Sequence, residues 1–116
     1  MDLKECYNSI GADYEDVLRR LMNERLVRKF VLKFLDDGSF GDLCRSLKEG
    51  NGEEAFRAAH TLKGVCQNLG FTSLYEAAHV LTEKLRGRQT DGCEELMNRV
   101  AEEYEKTVAA IKMLDN

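Results

Sequence analysis

The chain has 116 residues, 33% of them charged, with 17 Lys and Arg against 21 Asp and Glu, a formal net charge of −4, and no proline or tryptophan. That length closes one hydrophobic core, so a single domain over residues 1–116 is expected, and the acidic balance without a basic stripe excludes nucleic acid as the principal partner. No apolar run approaches the ~18 residues of a membrane span and Met1-Asp2-Leu3-Lys4 does not open a signal peptide, which excludes membrane function and leaves a cytoplasmic protein as the expectation.

Helices are expected throughout. Residues 2–9 make a short helix that Gly11 ends, and Asp13 caps a second through Leu21, with Val17, Leu18 and Leu21 apolar. Asn23 caps a third, 24–36, and Gly38 and Gly41 punctuate its exit. Residues 40–49 carry Phe40, Leu43, Cys44 and Leu47 at helical spacing and stop at Gly50, and Asn51-Gly52 is a turn that caps 53–69. Gly70 serves as the C′ glycine, and Thr72 caps the next helix, whose seam is Leu74, Ala78, Leu81 and Leu85. After a polar loop at 88–92, residues 93–114 bury Met97, Val100, Tyr104, Val108 and Ile111. Four segments are long enough for a bundle: 24–36, 40–69 taken as two pieces around Gly50, 72–86 and 93–114. Their short connections favour antiparallel neighbours. The fold class is therefore all-α, an antiparallel four-helix bundle with short additional N-terminal helices. Cys6, Cys44, Cys66 and Cys93 form no C-x-x-C pair and no zinc spacing, so reduced thiols are expected.

The stretch Ala58 to Gly70 carries the chemistry. Ala55, Ala59, Leu62, Cys66 and Leu69 recur at 4, 3, 4, 3, the seam of a helix buried against partners. Glu53, Arg57, His60, Gly64 and Gln67 occupy the opposite side. At ~100° per residue His60 lies about 200° from Leu62 and points at water. A neutral imidazole keeps a free ring nitrogen that can attack a phosphoryl group. Lys63, at i+3, can set an ammonium beside the phosphoryl oxygens. Gly64, at i+4, removes the side chain that would crowd the imidazole. A mid-helix glycine costs roughly 1 kcal/mol relative to alanine, so it asks for a reason.

His60-x-Leu62-Lys63-Gly64, followed by Leu69-Gly70-Phe71 and Leu74, resembles the signature of histidine-containing phosphotransfer (HPt) domains, over roughly Gly11 to Leu85. The resemblance implies a four-helix bundle whose exposed histidine, here His60, relays a phosphoryl group between receiver aspartates. Lys63 would stabilise the phosphohistidine, Gly64 would admit the partner, and Gln67 would hydrogen-bond the phosphoryl group or the receiver backbone. The partners implied are the receiver domain of a response regulator and a sensor or hybrid histidine kinase. The chain itself would act as a monomeric carrier rather than an enzyme.

Between Leu26 and Leu35 seven of ten residues are apolar, more than one stripe requires. Either this helix is packed on two sides, or Leu26, Phe30 and Lys33 form an apolar apron beside His60 on which a receiver docks. Glu76-x-x-His79 spells half of a di-iron motif, but it occurs once and off the seam, so a solvated flank histidine is the better reading. Glu53-Glu54 and Glu94-Glu95 suit helix first turns. No Walker loop or kinase glycine-rich loop is present, so phosphoryl groups reach and leave His60 through other proteins. No cofactor is expected on this chain, and magnesium for transfer would come with the receiver's acidic pocket. A phosphoacceptor domain excised from a larger histidine kinase would share the motif, whereas the intact Lys63-Gly64 pair speaks against the other alternative, a helical adaptor whose histidine is unused.

Overall fold

Side-chain caps start four of the helices, α1, α2, α3 and α5. Asp2 accepts from the Glu5 N–H at 2.8 Å while Glu5 reaches back to the Asp2 N–H, and this reciprocal pair opens α1, Leu3–Ser9. Asp13 accepts from the Asp16 N–H to open α2, Tyr14–Leu21, and Asn23 accepts from the Arg25 and Leu26 N–H groups to open α3, Glu24–Lys33, which tightens into a 3₁₀ turn at Phe34–Asp36. There follow α4, Ser39–Lys48, and α5, Gly52–Leu69, the latter capped by Asn51. The last two are α6, Thr72–Lys84, closing in a 3₁₀ turn at Leu85–Gly87, and α7, Glu94–Lys112. The structure is a computed structural model that describes residues 1–115, and among the described residues there is no strand. The all-helical expectation holds.

The bundle is built differently from the expected four segments. The expected break at Gly50 is present: at φ +70° it reverses the chain, and α4 packs back along α5 as a hairpin, so the two pieces of 40–69 are separate members of the bundle. The ring is α4, α5, α6 and α7. Packing of α5 on α4 and α6, and of α6 on α7, closes three sides. Phe40 of α4 stacks on Tyr104 of α7 at 4.0 Å and closes the fourth. Segment 24–36 lies outside this ring, packed on α2 and α5. Val27, Val31 and Phe34 are buried, whereas Leu26, Phe30, Leu32 and Leu35 stay between 36% and 39% exposed. The helix thus packs on α2 and α5 and still leaves an apolar edge partly exposed.

Two smaller expectations also change. Thr72 does not cap α6; the cap position is Phe71, without a side-chain bond, and Thr72 is the first helical residue. Phe71 is held there by burial between Tyr7 and Phe34, at ring separations of 5.5 and 5.3 Å. In α7, Val100 and Ile111 are buried as expected, but Met97, Tyr104 and Val108 are half-buried and Thr107 and Ala110 take inner positions. The C-terminal half of α7 meets α1 as well as α6, which rotates its inner face. The Thr107 hydroxyl satisfies itself on the Glu103 carbonyl at 2.7 Å.

The N-terminal helices are tied to the α5–α6 turn rather than to the middle of the bundle. Gly70 at φ +71° ends α5, where a Cβ would lie 2.8 Å from the Asp13 carbonyl oxygen, and its own carbonyl accepts from the Asp13 N–H at 2.8 Å. The buried Tyr7 hydroxyl donates to the Leu69 carbonyl at 2.6 Å. All four cysteines are free, with Cys6, Cys66 and Cys93 buried and Cys44 exposed. Burial pushes the Cys66 thiol well up, so it stays protonated and unreactive.

One close approach joins the start of α5 to the segment leaving α6. A Cβ on Gly52 would collide with the Arg88 carbonyl group, whereas one on Gly64 would meet nothing within 4 Å. The two glycines therefore respond oppositely to alanine. Gly52→Ala is expected to destabilise by about 1–3 kcal/mol, because backbone must move. Gly64→Ala is expected to stabilise by about 0.5–1 kcal/mol through helix propensity. Urea denaturation of the two variants checks both signs.

Candidate functional site

Small residues set the rotation of α5. Ala55, Ala58, Ala59, Leu62, Cys66 and Leu69 are buried, as the seam requires, and the alanines let α4 and α6 approach closely. With that face fixed, His60 is exposed and Gly64 lies one turn further on, half-buried with open space above it. Lys63 is half-buried beside them. The sequence reading of this face therefore holds in its geometry.

The imidazole does not stand alone. One turn before it on α5, Phe56 presents a ring 6.0 Å from that of His60. Arg88 lies over the Phe56 ring at 3.9 Å and Arg86 at 5.4 Å. These groups, with Glu53, Arg57 and Thr61, line an open hollow of about 340 Å³ that contains His60. Each arginine is held by one glutamate: Arg57 by Glu54 at 3.2 Å, Arg86 by Glu83 at 2.6 Å and Arg88 by Glu53 at 3.3 Å. The Arg86 hydrogen bond is the main reason the Glu83 carboxyl lies below its usual range, and the Lys63 ammonium adds to the effect. That places Lys63 within electrostatic reach of the same rim. Exposed pairs of this kind are weak, so an incoming anion can redistribute them.

Phe56, Arg86, Arg88 and the partner role of Glu53 escaped the sequence reading. Phe56 precedes His60 by four residues, so helical spacing could have found it. The two arginines come from the far end of α6 and reach the site only through tertiary packing.

Leu26, Phe30 and Lys33 do not share the hollow of His60. Phe30 and Lys33 line a separate groove of about 420 Å³ between α2, α3 and the C-terminal half of α5, with Arg20, Leu21, Val65 and Asn68. Leu26 lies one turn before Phe30 on α3 and is 38% exposed. Along α5 the hollow's His60 and the groove's Asn68 are two turns apart. His60, Gly64 and Asn68 follow at i, i+4 and i+8, each about 40° round from the last, and the middle one has no side chain. Gln67 is exposed and about 10 Å along the axis from His60. It lines a different hollow with Asp13, Asp16 and Tyr75, and its carbonyl accepts from Arg20 at 3.3 Å.

His79 is exposed on α6, stacked on Tyr75 at 6.0 Å between ring centres, and is not brought to His60's hollow. Among the described residues no three His, Cys, Asp or Glu side chains converge to hold a metal ion, and no helix is long and apolar enough to cross a membrane.

Comparison with curated proteins and with solved structures gave no match. A family model did: the Hpt domain matches residues 29–110, from within α3 to near the end of α7, a span that contains His60, Lys63 and Gly64. Domains of this kind serve histidine phosphotransfer in phosphorelays and interact there with kinases and receiver domains. With the match covering most of the chain and a helical bundle beneath it, this protein belongs to the Hpt domain family.

Proposed function

We propose that the chain is a phosphoryl carrier of a two-component phosphorelay, with His60 as phosphoacceptor. The observation that carries the reading is the rotation of α5: the seam is buried, the imidazole is exposed, and the residue one turn on is an open glycine. A receiver's aspartyl phosphate would be attacked in line by the free ring nitrogen of His60. The P–O bond to the carboxylate breaks as the P–N bond to the imidazole forms, and the reverse step passes the group on. Lys63 supplies positive charge to the phosphoryl oxygens, and Gly64 leaves the approach clear for the partner.

The receiver would cover both the hollow around His60 and the groove beside it. Leu26, Phe30 and Lys33 would form the apolar edge of that docking surface. Gln67, too far along α5 to reach the phosphoryl group easily, would bond the receiver backbone. The chain would hold no cofactor of its own, magnesium arriving in the receiver's acidic pocket. It would act as one unit over residues 1–116, a monomer in the cytoplasm that carries a phosphoryl group between a sensor kinase or its receiver domain and a response regulator.

Receiver domains charged with acetyl phosphate test this directly. His60→Gln should take up no acid-labile, base-stable phosphoryl group from them and should melt as the parent does, because an exposed side chain contributes little to stability. Label retained in that variant would overturn the assignment.

Gly64→Gln should separate stability from transfer. With open space at that position it should melt no lower than the parent. A long side chain between the imidazole and the groove should slow exchange at least tenfold, about 1.4 kcal/mol of barrier. Unchanged exchange would remove Gly64 from the partner's path.

Leu26→Glu should leave melting nearly unchanged, since the residue is 38% exposed, while raising the Kd for a cognate receiver. Titration calorimetry with equal Kd for variant and parent would take Leu26 out of the interface.

A further inference from the structure

Arg88 sits in the hollow of His60 in a conformation that packing, not local preference, maintains. Its backbone has φ +63°, the left-handed region that side-chain-bearing residues rarely adopt, and it follows the 3₁₀ turn that ends α6. Its carbonyl lies against Gly52, where a Cβ would collide with it. The position is thus clamped to the first turn of α5, two turns before His60. From there the guanidinium stacks 3.9 Å over Phe56, whose ring is also the neighbour of the imidazole. Nε donates to Glu53 at 3.3 Å and Nη1 to the Arg86 carbonyl at 2.5 Å, which leaves Nη2 without a partner among the described residues.

Resting on the phosphocarrier reading of His60, we propose that Arg88 is a phosphoryl-binding arm. Glu53 holds it on Phe56 while His60 is free, and it transfers to the phosphoryl oxygens when His60 is charged. The Glu53 pair is exposed on both sides and long, so it is weak. A phosphoryl group offers roughly two negative charges and three acceptor oxygens, and a planar guanidinium can meet two of them at once. Phe56 serves as the surface on which the guanidinium slides, since a ring face attracts the cation without fixing its direction. Released from Arg88, Glu53 then presents a bare carboxylate beside the charged histidine, so the surface a partner meets differs between the two states.

The arm also has a kinetic consequence. Loss of the phosphoryl group to water breaks the P–N bond, returns the imidazole its proton and releases inorganic phosphate. The transition state is loose, and electron density from the phosphoryl oxygens drives the leaving imidazole out. A guanidinium holding those oxygens withdraws that density and lengthens the life of the phosphohistidine.

Potassium phosphoramidate charges the protein without any partner: its P–N bond breaks, the P–N bond to the imidazole forms, and ammonia leaves with the imidazole proton. The half-life of phosphate on His60 is then followed by tandem mass spectrometry in the parent, R88G, E53Q and the double variant, with melting recorded for each. Glycine suits φ +63°, so R88G removes the arm without straining the turn. We expect the half-life in R88G to fall at least twofold, in E53Q to rise at least twofold, and in E53Q/R88G to match R88G. A half-life in R88G within twofold of the parent would overturn the proposal. So would an E53Q gain that persists without Arg88, because simple removal of negative charge would then explain it. Should R88G fail to fold, E53Q decides alone: a half-life not lengthened twofold overturns the arm. A parent that takes no label at His60 would overturn the phosphocarrier reading and this proposal together, an outcome distinct from equal half-lives.

Discussion

Burial of one narrow face of α5 is the constraint on which the rest of the molecule depends. Ala55, Ala59, Leu62, Cys66 and Leu69 leave that helix no freedom to rotate, because α4 and α6 press on it from both sides and every seam residue is at most 5% exposed. A turn of one residue, about 100°, would drive a charged or polar side chain into the core and leave Leu62 in water. The exposed direction of His60 is therefore a consequence of hydrophobic packing. Nothing at the histidine itself has to hold it there.

Around that fixed helix, the neighbouring elements also supply the surfaces of the site. The segment after α6 reaches across Gly52 and lays Arg88 on Phe56. The N-terminal helices, anchored by Tyr7 on Leu69 and by Asp13 on Gly70, bring α2 and α3 against the far half of α5 and form the groove there. Four cations, Arg57, Lys63, Arg86 and Arg88, stand near an exposed imidazole in a chain whose net charge is −4. Local positive charge in an acidic protein suits a site that must accept a dianion and still release it, since each arginine already has a glutamate to return to.

The helices and the exposed face of α5 were legible in the sequence because both follow from local rules: caps at Asp13, Asn23 and Asn51, glycines at 50 and 70, and a 3–4 spacing that the structure repeats residue for residue. What was not legible required knowing which helices meet. Gly50 ends one helix as expected, but that the two pieces around it fold back as separate members of the ring, leaving 24–36 outside it, depends on tertiary packing. The inner face of α7 is turned by its contact with α1, which sequence periodicity within α7 cannot reveal. Thr72 had the chemistry of a cap, but burial of Phe71 between Tyr7 and Phe34 outweighed it. Arg86 and Arg88 fall at the end of the expected helix 72–86 and in the polar loop after it, and only tertiary packing, with the Arg88 backbone against Gly52, places them beside His60.

The central claim is that this one exposed imidazole, and no other group, carries the phosphoryl group. The most direct measurement is to incubate the parent protein with a receiver domain charged on its aspartate, quench in base, and locate the added phosphate by electron-transfer tandem mass spectrometry. The account predicts a single phosphoryl group per chain, on His60, with His79 unmodified under the same conditions. Phosphate on His79, or on both histidines to similar extent, would contradict it.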